Sequence, residues 1–146
     1  MPARLPARLL VPALLLAALC PCAAAAHGAA SAPGHAAPAP VVAEVMRKPL
    51  PDYPGKEALM LSVEYPPGGA DPVHRHDAHA FVYVVEGSIV MGVAGAPEVT
   101  LKAGESFYEG PGDLHTVGRN ASRDKPARFV VVLLKDATKP ALMPVP

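Results

Sequence analysis

Three histidines fall within six residues in His74-Arg75-His76-Asp77-Ala78-His79, and a fourth, His115, follows Pro111-Gly112-Asp113-Leu114. In a β-strand, residues two apart point to the same face, so His74 and His76 can aim two imidazoles at one point. Imidazole suits late first-row metals. A third donor from another strand, His115, leaves an open coordination position, the layout of a reactive metal site. The expected donors are therefore His74, His76 and His115 around a divalent transition metal: iron, copper, zinc, manganese or nickel. A metal held by three neutral histidines keeps its charge uncompensated. It would attract an anionic bidentate ligand such as an enolate, carboxylate or catecholate.

Short strands must carry these side chains. Leu59 to Tyr65 reads as a strand ending at Pro66-Pro67-Gly68-Gly69, and Phe81–Val85 and Ile89–Val93 flank the hairpin signal Glu86-Gly87-Ser88. Val99–Leu101, Ser106–Glu109 and His115–Gly118 follow, separated by Gly/Pro turns. Phe129–Leu134 is a continuous apolar run, expected to be covered on both faces. With no convincing helix beyond the first residues, the pattern argues for an all-β jelly-roll barrel.

The residues around the histidines resemble the cupin family, whose first motif runs Gly, five residues, His-x-His, three or four residues, Glu, six residues, Gly. Gly68 precedes His74-x-His76 at that spacing, and Phe81-Val82-Tyr83-Val84-Val85-Glu86-Gly87 resembles the strand and turn that close the motif. Gly104 to Glu109, leading into Gly110-Pro111-Gly112-Asp113-Leu114-His115, matches the second motif in spacing. The resemblance implies a single cupin barrel, a double-stranded β-helix, with His74, His76 and His115 as ligands.

The chain departs from the pattern where it matters. The cupin Glu position falls on Ala80, Gly110 stands for the usual Pro, and Arg119 for the usual Asn, with Asn120 one place later. Two residues could compensate for the missing carboxylate. His79 adjoins the vacant position, although strand alternation turns it to the other face. Glu109 occupies a position usually apolar and interior, where a buried acid needs a partner. The expected set is three histidines and a water, with His79 and Glu109 as candidate fourth groups and Glu109 as candidate catalytic base.

A chain of 146 residues allows one domain. Residues 1–26 read as an export signal, with Arg4 and Arg8, an apolar run from Leu9 to Leu19, and Ala24-Ala25-Ala26 before the cut. Residues 27–45 read as an Ala/Pro-rich flexible tether, 46–138 as the barrel and 139–146 as a tail. The expected location is the periplasm or outside the cell. Cleavage removes both cysteines, leaving a barrel that relies on its own core. Loss of Arg4 and Arg8 leaves 11 basic against 13 acidic residues, which points to neither nucleic acid nor anionic membrane as partner.

The expected partners are a small molecule at the barrel mouth and a second copy in a homodimer. The expected function is a metal-dependent dioxygenase or isomerase on a small oxygenated compound, or else a non-catalytic binding module. Val82 and Val84 share the parity of Ala80 and are expected to line the pocket. Tyr83 and Tyr108 are read as core residues, and Arg75 as structural.

Overall fold

The structure, a computed structural model, describes residues 36–145. The export signal at 1–26 and the tether up to residue 35 lie outside them. Ten strands follow in chain order: β1 (Val41–Pro49), β2 (Lys56–Tyr65), β3 (His74–Arg75), β4 (Ala78–Glu86), β5 (Ser88–Val93), β6 (Val99–Lys102), β7 (Ser106–Glu109), β8 (Leu114–Asn120), β9 (Ala127–Asp136) and β10 (Met143–Pro144). They form two five-stranded sheets, β1-β2-β9-β4-β7 and β10-β3-β8-β5-β6. All pairings between named strands are antiparallel. This is the jelly roll that the strand pattern predicts.

Alternation decides which side chains enter the core. Along β4, Ala78, Ala80, Val82 and Val84 are buried, while His79, Phe81, Tyr83 and Val85 are exposed. β9 behaves likewise: Phe129, Val131 and Leu133 point inward, and Val130 and Val132 lie half-buried on the outer face. The apolar run of β9 is thus not covered on both faces as expected. Tyr83 and Tyr108 also lie outside the core, about half exposed. The core joins inward residues of the first sheet, such as Leu59, Tyr65, Val84 and Phe129, to Ile89, Met91 and Leu101 of the second. Gly87 turns β4 into β5 at φ 75°, and a Cβ there would meet the Pro126 carbonyl at 2.8 Å.

Two boundaries move. The tether expected over 27–45 gives way to strand at Val41, because β1 pairs with β2 from Val41↔Glu64 to Pro49↔Glu57 around a bulge at Val45. Tail residues Met143 and Pro144 form β10 on β3. Neither segment alternates cleanly in sequence, so neither reads as a strand until its pairing partner is known.

One end of the inner face is polar. Lys135 and Glu57 are cross-strand partners, both buried, and Lys135 Nζ donates to Glu57 Oε1 at 2.8 Å. Asn120 is also buried. Its Nδ2 donates to the carbonyls of Tyr65, Pro66 and Lys125, and its Oδ1 accepts from the Ser122 amide, which fastens the turn after β2.

Candidate metal centre

Four side chains converge between the sheets. His74 and His115 are cross-strand partners on β3 and β8. His76 follows β3 directly, and Glu109 ends β7 on the opposite sheet. The two histidine motifs are stitched together by backbone: the Gly112 amide donates to the His76 carbonyl at 2.9 Å, and Arg75 donates to the Gly112 carbonyl. Arg75 is thus structural, as expected.

One donor atom from each of His74, His76, Glu109 and His115 lies within 4.8 Å of all the others. His74 Nε2 is 3.1 Å from His76 Nε2 and 3.3 Å from His115 Nδ1. Glu109 Oε2 is 3.3 Å from His115 Nδ1 and 3.8 Å from His76 Nε2. A tetrahedral ion with bonds of about 2.0–2.1 Å to nitrogen sets its donors about 3.3–3.4 Å apart. The His74–His76, His74–His115 and His115–Glu109 separations match that spacing, and His76–Glu109 is wider at 3.8 Å.

The outer hydrogen bonds say which atoms point inward as lone pairs. A carbonyl can only accept, so each ring nitrogen facing one must be the protonated one. His74 Nδ1 donates to Pro72 O at 2.8 Å, His76 Nδ1 to Ala141 O at 2.6 Å, and His115 Nε2 to Val117 O at 2.6 Å. Each neutral imidazole therefore presents its bare nitrogen to the centre. Glu109 Oε2 is buried and has no hydrogen-bond partner among the described residues. Three lone pairs and an orphaned carboxylate oxygen at these distances repel one another unless a cation sits between them. The donor set fits a divalent transition metal.

The titration behaviour agrees. Burial, and then the charges of Asp113 and Asp71, push the Glu109 carboxyl up to about 7. Burial, and then His74, push the His115 imidazole down to about 4, and burial lowers His76 as well. His76 and His115 are thus held in the neutral form that a ligand needs.

Glu109 is thus brought to the three histidines, so the expected shell of three histidines and a water gains a carboxylate. His79 does not join. It is exposed on the outer face, where its Nδ1 is 2.7 Å from Tyr108 Oη, and it lines a separate groove of about 570 Å3 with Tyr53 and Leu134. Alternation from buried Ala80 turns it away from the cluster.

The cluster opens on a cavity of about 220 Å3 between the sheets. Val82 lines it as expected, whereas Val84 is buried without lining it. Two further lining groups, Asp71 and the Ala141-Leu142 segment, were not among the residues expected there. An acid within the five residues between Gly68 and His74 was the available signal for the first. The apolar Ala141-Leu142-Met143 run was the signal for the second.

A cupin domain model matches residues 61–133. Among solved structures, the chain is similar to a conserved protein with a double-stranded β-helix domain from Klebsiella pneumoniae, at 20% identity and TM-score 0.58, covering 78% of this chain and 90% of that one. It is similar to a DMSP lyase from Ruegeria pomeroyi at 23% identity and TM-score 0.54, covering 60% of this chain and 43% of that one. It also resembles oxalate oxidase in complex with glycolate, at 23% identity and TM-score 0.55, covering 73% of this chain and 61% of that one. The chain thus spans less than two thirds of the lyase and of the oxidase. At such identities the likeness is one of fold. None of the curated protein sequences compared with the chain matches it.

Proposed function

The chain belongs to the cupin family, and from that premise we propose that it is an exported metal-dependent enzyme, a dioxygenase or isomerase acting on a small oxygenated organic compound. His74, His76, His115 and Glu109 hold the metal, and the substrate occupies the adjoining cavity. The observation that carries the reading is the inward aim of four donors, three bare imidazole nitrogens and a buried Glu109 Oε2 that has no hydrogen-bond partner among the described residues.

When bound, a divalent transition metal supplies Lewis acidity toward a substrate oxygen and, if redox-active, electrons for dioxygen chemistry. The protein's own contribution is positional. Backbone carbonyls fix each imidazole, and inward side chains such as Val82, Met91 and Phe129 give the cavity an apolar wall. With Glu109 Oε2 among the four donors, the second oxygen of the same carboxylate is the one left to take a proton from the ligand. A Glu109 aimed at the cluster rather than at solvent favours catalysis over simple binding.

The test is a turnover screen of the mature protein loaded separately with iron, copper, zinc and manganese. Catechols and diketones with oxygen uptake test the dioxygenase reading, and hydroxy-carbonyl compounds followed by NMR test isomerisation. Turnover lost in Glu109→Gln supports the proposal. No turnover in any arm, with ligand binding retained, leaves the second reading: a non-catalytic binding module. The cavity lining favours that alternative, since apart from the four donors and Asp71 it is wholly apolar. Export is tested by fractionating the native cells; a periplasmic chain starting near His27 supports it, and a cytoplasmic chain retaining residues 1–26 opposes it.

A further inference from the structure

Asp71 lines the cavity but is not one of the four clustered donors. It is held from two sides. Its amide donates to the Gly118 carbonyl at 2.8 Å, and its Oδ2 accepts the hydroxyl of Tyr65, a fully buried ring packed edge-on to Phe129. Gly118 makes the arrangement possible. A Cβ there would lie 2.8 Å from Tyr65 Oη, 2.9 Å from Asp71 Oδ2 and 3.1 Å from His115 Cε1. Only a residue without a side chain lets phenol, carboxylate and imidazole meet at one wall.

A buried phenol needs one acceptor, and a backbone carbonyl would serve at lower cost. Here the acceptor is instead a half-buried carboxylate that lines the same cavity as Glu109. A carboxylate offers about four acceptor sites. Tyr65 uses one, and Asp71 Oδ1 has no hydrogen bond among the described residues. Every lining residue other than Asp71 and the four donors is apolar, so no side chain in the cavity can neutralise a second anionic group. At about 220 Å3 the cavity also falls below the roughly 300–1,000 Å3 of drug-sized sites.

We propose that Asp71 is a specificity-determining acceptor: it selects compact, largely apolar ligands that carry a hydroxyl or amine donor beside their metal-binding group, and rejects those with a second negative charge there. The inference rests on the metal-site reading, since the metal is what binds the ligand's polar head. The branched apolar body lies against Val82, Met91, Phe129 and Val131.

Three probes share an isopropyl body and one carboxylate and differ only at the neighbouring carbon: isovalerate carries hydrogen, 2-hydroxyisovalerate a hydroxyl, and isopropylmalonate a second carboxylate. Calorimetry on the zinc-loaded full chain and on Asp71→Asn, after zinc content is measured in both, reads the selection. The wild type is expected to prefer 2-hydroxyisovalerate to isovalerate and to bind isopropylmalonate worst. In Asp71→Asn the hydroxyl advantage is expected to fall about tenfold, and isopropylmalonate to gain on isovalerate. Equal ratios in the two zinc-loaded proteins mean that chelation alone sets the preference, and overturn the inference while leaving the metal site standing. Zinc absent from the wild type overturns the metal reading and this inference with it. Should Asp71→Asn lose zinc or fail to fold, Tyr65→Phe reads the same quantity. It removes the hydroxyl that holds Asp71 Oδ2 in place, so the hydroxyl advantage is expected to fall several-fold with isovalerate binding unchanged; an undiminished advantage contradicts the proposal.

Discussion

Ala80 and Glu109 are cross-strand partners on β4 and β7, both buried on the inner face of one sheet. Facing residues in an antiparallel pair have Cβ atoms about 4.5–5.5 Å apart and point the same way. The carboxylate that cupins resembling this chain carry at the Ala80 position is therefore supplied here from one strand over. A long Glu side chain spans the offset. Glu109→Ala alone is expected to lower metal affinity by at least tenfold, and the swap Ala80→Glu/Glu109→Ala to recover most of it. Competition against a metal-binding dye measures both. A swap no better than the single variant would show that the two positions are not interchangeable.

The metal-free protein should record the strain of the buried acid. The Glu109 carboxyl is raised from 4.5 to about 7, so the native state holds its proton where the unfolded chain has released it. Its stabilising contribution is complete below about pH 4.5 and is lost as pH climbs through 7. Glu109→Gln mimics the protonated form and lacks this dependence, while the lowered His76 and His115 are common to both proteins. After chelation, denaturant titrations should show the wild type losing about 3 kcal/mol relative to the variant between pH 4.5 and 8. A difference that is flat with pH would show that Glu109 is not held protonated.

The Lys135–Glu57 pair behaves as a structural device on the same inner face, one inward position along from the Ala80–Glu109 row. Both are almost fully buried, and Glu57 also accepts from Arg47. Replacing Glu57 by Gln leaves the Lys135 ammonium without its counter-charge and is expected to cost about 3 kcal/mol. Glu57→Leu/Lys135→Met is expected to come within about 1 kcal/mol of the wild type. Chemical denaturation distinguishes the two, and a double variant as unstable as the single one would contradict this account.

The outer face of the same sheet is the surface we propose for a homodimer. Met46, Met60, Val132, Phe81 and Tyr108 lie in one registered row across all five strands. Phe81 and Tyr108 are nearly half exposed, and Tyr83 and Val85 extend the patch along β4. Contiguous apolar surface of this kind marks association sites. Sedimentation is expected to give a dimer for the wild type and a monomer for Phe81→Lys, with metal content unchanged. A monomeric wild type would assign the patch to some other contact.

How far the sequence could be read depended on how local each signal was. The alternation around Ala78–Val84, the Gly/Pro turns and the spacing of His74, His76 and His115 are local, and they foretold the jelly roll and the histidine cluster. Val41–Val45 and Met143–Pro144 are strands only because β2 and β3 offer them edges, which no local pattern encodes. The parity that puts Ala80 inside also puts His79 outside, so the structure selects Glu109 as the fourth donor by register. Asp71 was visible only as an acid between Gly68 and His74. Its place at the cavity wall comes from the pairing of distant segments, through the Asp71 amide on the Gly118 carbonyl and the Ala70↔Arg119 bridge.

The most direct measurement is the metal content of the protein purified without a tag from its native cells, beside His74→Ala/His76→Ala/His115→Ala and His79→Ala. The account predicts close to one transition-metal ion per chain in the wild type and in His79→Ala, and almost none in the triple variant. Metal retained by the triple variant, or absent from a wild type offered excess iron, copper, zinc and manganese, would contradict the four-donor centre.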